Sequence, residues 1–210
     1  MTSSDQAILN LDQALPLGEG FHRICYVHPG DDGLCVKVPK EAKDEVDNEI
    51  DFIYSKHLEK RDVPLTFLPR CHGWVETSRG RGLIFQRIRN ADGSECEPFR
   101  SYLLDGRLNL VKAMPLLNEL RDYLLEHSIL LADVGLTNLL VQELRGRRVI
   151  YLIDGLGSRK LHFKFTLRRM VPFLSRSRTK QKWRILLRGI GHFMKDNDLS
   201  PGLPKGQVWS

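Results

Sequence analysis

Two carboxylates and one amide stand at the ends of a short apolar stretch. Asp133-Val-Gly-Leu-Thr-Asn138 leads into an apolar run at 139–141, a Gly-containing turn at 142–147 and a second apolar run at 149–153, which ends in Asp154-Gly-Leu-Gly157. The two runs predict a β-hairpin, and an antiparallel hairpin brings its open ends together. Asn138 precedes the outgoing strand and Asp154 follows the returning one, so they meet although 16 residues separate them. Asp133, five residues upstream, reaches the same place on its loop. These are hard oxygen groups, and such a set suits one or two Mg²⁺ ions that share their coordination with phosphate oxygens. Each residue alone also suits a turn. The pairing about a hairpin is what points to chemistry.

A second group lies near the N-terminus. Leu17-Gly18-Glu-Gly20-Phe-His-Arg23 falls between two strand signals. Glycines there let backbone N–H groups approach a phosphate closely, and they equally suit a tight hairpin turn. Lys37 is the charged residue of Cys-Val-Lys-Val, an otherwise apolar strand. Strand alternation sends it to solvent unless a polar site lies beneath the glycine loop. Glu49 falls on a helix expected at 41–60, at the edge of the apolar stripe Val46, Ile50, Ile53, Tyr54 and His57. A carboxylate there gains from a cation, because burying a lone charge is costly. Lys37 is the expected partner, and Glu45, one turn earlier, is the second choice of carboxylate.

The elements that must position these groups follow from the pattern. Strands are expected at 14–17, 22–28 and 34–38, with Pro29-Gly30-Asp31-Asp32-Gly33 as the turn between the last two. After the helix at 41–60 come strands at 71–77 and 82–88, a polar irregular stretch at 89–98, and helices near 99–105 and 109–127. An irregular segment at 128–138 leads into the hairpin, and two basic helices fill about 161–195. The order predicts an α+β protein in two lobes. Residues 1–90 form an antiparallel sheet with one helix, and 91–210 form a mainly helical lobe with a small hairpin.

Composition narrows the class. The 210 residues are 41% apolar and 28% charged, which excludes a disordered, collagenous or coiled-coil chain. No apolar run approaches the roughly 20 residues that span a bilayer, and the N-terminus does not read as a signal peptide. The four cysteines are scattered with no C-x-x-C pair, which argues against a zinc ribbon or a disulfide scaffold and suits a reducing, cytoplasmic setting. The net charge of +6 is unevenly spread: residues 159–195 hold 12 Lys and Arg and no acid, while the first 158 residues carry a net −5. Within 178–195, Trp183, Leu186, Leu187, Ile190, Phe193 and Met194 form an apolar stripe flanked by cations such as Lys182 and Arg188. Such a helix either lies on an anionic membrane or phosphorylated glycolipid, or packs its stripe as ordinary core. Nucleic-acid binding would need one basic face, but no recognition motif accompanies this one.

Glycine loop, strand lysine, helix glutamate, Asp-x-x-x-x-Asn, hairpin and Asp-Gly occur here in one order. That order resembles a minimal bilobal protein-kinase-like fold, and more narrowly the YrbL family of PhoP regulatory network proteins. The match rests on Leu-Gly-Glu-Gly-Phe-His-Arg-Ile-Cys-Tyr at 17–26, the stretch 28–38, Gly-Trp-Val-Glu-Thr at 73–77, Asp-Val-Gly-Leu-Thr-Asn at 133–138 and Leu-Ile-Asp-Gly-Leu-Gly at 152–157. The chain is also similar to lipopolysaccharide core sugar kinases, which share the glycine loop followed by Arg23 and the Asp-x-x-x-x-Asn.

The resemblance implies ATP and Mg²⁺ as cofactors. Gly18, Gly20 and Arg23 would serve the nucleotide phosphates, and Lys37, paired with Glu49, would hold the α- and β-phosphates. Asp133 would orient or deprotonate the acceptor hydroxyl, Asn138 and Asp154 would hold the metal, and 85–88 would lie near the adenine. There are departures. Arg23 replaces the third glycine, Leu131-Ala132 stands where His-Arg precedes the catalytic Asp, and Asp-Gly-Leu-Gly replaces the Phe-containing metal motif. Only about 55 residues follow Asp154, too few for a protein-kinase substrate lobe. The acceptor implied is a sugar hydroxyl or a lipopolysaccharide-type glycolipid, met at the inner face of the membrane through residues 161–195. A degenerate pseudokinase acting as a regulatory module, and a basic membrane- or nucleic-acid-binding protein, remain the alternatives at this point.

Overall fold

The computed structural model describes residues 8–158 and 171–199. The chain divides into two compact units. The first comprises residues 1–65 and 69–87, the second residues 66–68 and 88–210.

The first unit is a five-stranded antiparallel sheet with one helix. Its strands are β1 (Pro16–Glu19), β2 (Arg23–Val27), β3 (Leu34–Pro39), β4 (Cys71–Thr77) and β5 (Gly80–Gln86), in the order β1-β2-β3-β5-β4. The β2–β3 turn forms as its residues predict: Asp31 Oδ1 accepts from Gly33 N at 2.8 Å, and His28 Nδ1 accepts from Gly30 N at 3.2 Å. Central β3 is buried on both faces, because alternate side chains enter two separate apolar clusters. Val36 and Val38 pack with Leu11 and Tyr26 on one face. Cys35 packs with Leu83 and Phe85 on the other, joined by Phe52 of helix α1 (Glu45–Glu59). Lys37 shares the parity of Cys35 and lies on the helix-bearing face. One feature is absent from the sequence reading: an N-terminal strap along β4. Leu9 N donates to Glu76 O at 2.8 Å, Ser78 N donates to Leu9 O at 3.0 Å, and Leu11 is fully buried.

Helix α1 sits in a different rotation from the one expected. Ile50 and Tyr54 of the expected stripe are buried, but Asn48 and Leu58 complete the buried face in place of Val46, Ile53 and His57. At about 100° per residue, this turns the buried face toward Asp51 and sets Glu49 on the far side.

In the second unit, α2 (Phe99–Leu104) and α3 (Leu110–Glu126) precede the β7–β8 hairpin. The hairpin strands, β7 (Leu139–Leu144) and β8 (Arg147–Leu152), extend a small sheet that starts with β6 (Glu97–Pro98). The strands run further than the apolar residues alone suggested, because Gln142 and Glu143 pair with Val149 and Arg148 as polar members of the ladder. Asn109 caps α3, its side chain accepting from Lys112 N at 3.0 Å.

Among the described residues the C-terminal basic block contributes one long helix, α4 (Pro172–Asp196); the start of the first of the two expected helices falls in 159–170, outside the described residues. Proline in the first turn suits its start. Ser175, Thr179, Trp183, Leu186, Ile190 and Met194 recur every three or four residues and are buried. The stripe therefore packs within the second unit, against α3 and the turn Leu136–Asn138. Arg176 holds the far end of α3, donating through Nε to Leu125 O at 3.0 Å and through Nη2 to Glu126 O at 3.3 Å. Those carbonyls have no partner within a helix, so a cation there is favourable twice over. Among the described residues, no helix is long and apolar enough to cross a membrane.

Candidate functional site

The candidate residues form two groups, one in each unit. In the first unit Gly18 lies in β1 opposite Cys25, and Gly20 closes the β1–β2 loop, its N–H donating to Arg23 O at 2.8 Å. Lys37 lies on β3, directly opposite Cys25 of β2. With β2 and β3 antiparallel, Arg23, Cys25 and Lys37 share the face that meets α1.

That face holds a charged cluster. Arg23 Nη1 lies 2.6 Å from Asp51 Oδ2 and donates to Asn48 Oδ1 at 3.0 Å. Lys37 Nζ lies 3.4 Å from the same Asp51 oxygen and 4.5 Å from the centre of the Phe85 ring. The Asn48 amide in turn donates to Lys37 O at 2.9 Å, tying the helix to the strand backbone. The side chains of Arg23, Lys37 and Asp51 each keep only 12% exposure, so the charges depend on one another for solvation.

This corrects the expected Lys37–Glu49 pair. The helix carboxylate that meets Lys37 is Asp51, because Glu49 is about 200° away around the helix. The signal was present in the sequence. Asn48, Asp51 and Ser55 recur at the spacing of one helical face, but counting only apolar residues cannot see a polar segment of a buried face. Arg23, noted as the residue in place of a glycine, is thereby given a definite contact. Next to the sheet's end, Arg87 N donates to Gly33 O at 2.8 Å and its guanidinium pairs with Asp32, fixing the segment expected near the adenine.

In the second unit the three expected residues do converge. Ile153 N donates to Asn138 O at 2.9 Å, which closes the open end of the hairpin. Ala132 N and Asp133 N both donate to Gly155 O, at 2.9 and 3.2 Å, and Gly157 N donates to Leu130 O at 2.8 Å. The segment around Asp133 is thus stitched, main chain to main chain, to the segment after Asp154. Gly155 makes this possible. Its φ is +86°, and a Cβ at that position would fall 1.6 Å from Asp133 O and 3.2 Å from Asn138 Nδ2. Only glycine lets the two backbones approach so closely. The Asp154 carboxylate accepts from Gly155 N at 2.7 Å, which sets its rotamer.

Two further residues belong to this site: Thr179, not singled out from sequence, and Lys182, named there as a cation flanking the apolar stripe. Lys182 of α4 lies 3.6 Å from Asp133 Oδ1. Thr179, one turn earlier and fully buried, donates to Ile129 O at 2.6 Å and accepts from Leu131 N at 3.2 Å. It grips the backbone just before Ala132-Asp133, where the expected His-Arg pair is missing. No sequence signal linked them to Asp133, since about 50 residues and an irregular stretch intervene.

The donor set fits a hard divalent cation. Asn138 and Asp154 flank the closed end of the hairpin and offer an amide oxygen and a carboxylate; among the described residues no group of three or more His, Cys, Asp or Glu that could hold a metal ion gathers. Two protein oxygens alone leave most of an octahedral shell open, which is the usual situation of Mg²⁺ held jointly with phosphate. Cys71-His72 offers no competing site: burial pushes the Cys71 thiol above its ordinary value, disfavouring the thiolate that binds metal. Cys25 and Cys35 are free thiols, and a hydrogen bond shared with Cys25, together with burial, raises the Cys35 thiol strongly.

Comparison with known proteins shows the family and the fold. Residues 9–191 match the family model of the PhoP regulatory network protein YrbL. YrbL of Escherichia coli strain K12 is 30% identical over 159 residues, covering 73% of this chain and 76% of the relative, and YrbL of Shigella flexneri gives the same figures. Among solved structures, the kinase domain of Mycobacterium tuberculosis PknI aligns over 91% of this chain and 75% of its own, with a TM-score of 0.52 at 16% identity. A second crystal structure of that domain gives a TM-score of 0.52 at 17% identity, over 83% and 72%. At such identity the likeness shows the fold, which is that of a protein kinase domain.

Proposed function

This chain belongs to the family of the PhoP regulatory network protein YrbL, and from that premise we propose that it is an ATP- and Mg²⁺-dependent phosphotransferase acting on a sugar hydroxyl. The observation that carries the reading is the stitching of the Asp133 segment to Gly155, which gathers Asp133, Asn138 and Asp154 at the open end of one hairpin. A purely structural turn does not need an exposed carboxylate on one strand of the stitch and a second carboxylate on the other.

The residues divide the work. Gly18 and Gly20, without side chains, let the nucleotide phosphates approach the β1–β2 loop closely, and Lys37, oriented by Asp51, holds the phosphates nearer the ribose. Asn138 and Asp154 would hold Mg²⁺, which when bound neutralises phosphate charge and lowers the repulsion met by an incoming hydroxyl. Asp133 accepts a hydrogen bond from that hydroxyl, aims its lone pair at the γ-phosphorus and takes its proton as the new O–P bond forms. ADP carries away the electrons of the bond that breaks. Rate enhancement comes from position and charge, not from a covalent intermediate.

The acceptor class rests on the basic helix. The cations of α4 that do not join the buried stripe, Lys180, Arg184 and Arg188 among them, form an exposed basic face. Such a face suits an anionic acceptor, and a phosphorylated lipopolysaccharide-type glycolipid at the cytoplasmic side of the membrane meets that need.

Differential scanning fluorimetry with Mg·ATP tests the nucleotide half. Wild-type protein should be stabilised by Mg·ATP and much less by ATP with EDTA, and Asp154→Ala should lose the Mg²⁺-dependent part. An identical response in Asp154→Ala, or none in wild type, removes the support for this function.

A further inference from the structure

Between Asp133 and Asn138 the loop reads Val-Gly-Leu-Thr and carries no cation of its own. A phosphoryl group transferred beside Asp133 would place a negatively charged phosphate next to a carboxylate, an arrangement that is strongly repulsive without a positive charge nearby. We infer that Lys182, reaching in from α4, is that charge and contacts the γ-phosphoryl group. This inference rests on the phosphotransferase reading above.

Three observations carry it. Lys182 Nζ lies 3.6 Å from Asp133 Oδ1, so any group bonded to a hydroxyl that Asp133 accepts is within reach of the ammonium. The burial of the pair is lopsided: Lys182 keeps 14% side-chain exposure, whereas Asp133 keeps 47%. An ion pair formed for stability gains little when one partner stays half in water, yet here the lysine has given up most of its hydration. That trade makes sense when the ammonium's further partner is a ligand. Finally, α4 is not free to drift. Thr179 bonds to the backbone on both sides of Leu130, and Trp183, adjacent to Lys182, is buried. The helix is registered on the segment that leads into Asp133, so Lys182 is delivered to a fixed place, as a pre-set electrostatic group must be.

The C-terminal helix therefore completes the reaction site. A short chain with no cation in its catalytic loop supplies one from α4, which places a late segment of the sequence in direct service of the chemistry. Lys182 is distinct from the exposed cations Lys180 and Arg184 on either side of it, which belong to the acceptor-facing surface.

The test compares Mg·ATP with Mg·ADP, which differ in the γ-phosphoryl group alone, by isothermal titration calorimetry on full-length protein. Lys182→Ala should weaken Mg·ATP binding about tenfold or more and leave Mg·ADP within about twofold, the scale of one charge-assisted contact. Lys182→Arg should restore most of the ATP affinity, and Lys112→Ala, at an exposed cation of α3, should change neither nucleotide. If Lys182→Ala weakens both nucleotides equally, or neither, while wild type binds both, the inference is overturned and the phosphotransferase reading survives. If wild type binds neither nucleotide, the phosphotransferase reading itself fails. Circular dichroism and the Lys182→Arg variant separate lost binding from lost folding.

Discussion

Lys37 and Asp133 are held by different means. In the first unit the candidate cation is fixed by side chains: Asp51 meets Arg23 and Lys37, and Asn48 joins helix to strand. In the second unit the candidate carboxylate is held by main chain, through bonds from Ala132 and Asp133 to Gly155 and through the grip of Thr179 on the backbone before it. The Asp133 carboxylate itself stays half exposed. Charge removal in the first unit should therefore damage both fold and ligand binding. Charge removal in the second should abolish chemistry and leave the fold intact, while the fold there hangs on residues without charge.

The sharpest way to break this contrast is Gly155→Ala. The added methyl must occupy space 1.6 Å from Asp133 O, at a φ that disfavours side chains. A loss of about 4 kcal/mol or more in chemical denaturation is expected, with failure to fold as the extreme case. A loss under about 1 kcal/mol means the two segments are not stitched as described. Asp51→Ala comes next: with Arg23 and Lys37 left around a vacant position, about 3 kcal/mol should be lost. Glu49→Ala should stay within about 0.5 kcal/mol, since it points away from that cluster. Equal effects at the two positions would put the helix back in the rotation expected from its apolar stripe.

Thr179→Val keeps shape and removes two buried hydrogen bonds, at roughly 1 kcal/mol each. A loss of about 2 kcal/mol is expected by urea titration, together with slower phosphate transfer, because the Asp133 segment loses its anchor. The smallest stability effect is expected at the residue with the largest proposed chemical role. Asp133→Asn should change the unfolding free energy by less than about 1 kcal/mol. Any transfer activity should nevertheless fall by about a hundredfold or more, the usual worth of a general base.

The sequence showed the second unit's site more fully than the first's. A hairpin flanked by Asn138 and Asp154 announces itself, because strand alternation and glycine turns are local signals and an antiparallel hairpin has one closure. The partner of Lys37 was misread because amphipathicity is judged from apolar residues, and α1 buries Asn48 and leans Asp51 into the same face. The buried stripe of α4 was visible as a period, but two different surroundings satisfy the same period. The link of Thr179 and Lys182 to Asp133 is not legible in the sequence: a threonine and a lysine in a basic helix carry no mark of what they touch across about 50 residues of chain.

The most direct test of the central claim is transfer of label from the γ-position of ATP to a lipopolysaccharide fraction, with Mg²⁺ present or chelated. Wild-type protein and Asp133→Ala would be compared at equal folded concentration. The account predicts a Mg²⁺-dependent labelled product from wild type and none above background from Asp133→Ala. Nucleotide binding without transfer to any acceptor, or equal labelling by the two proteins, would contradict it and mark this chain as a kinase fold put to a non-catalytic use.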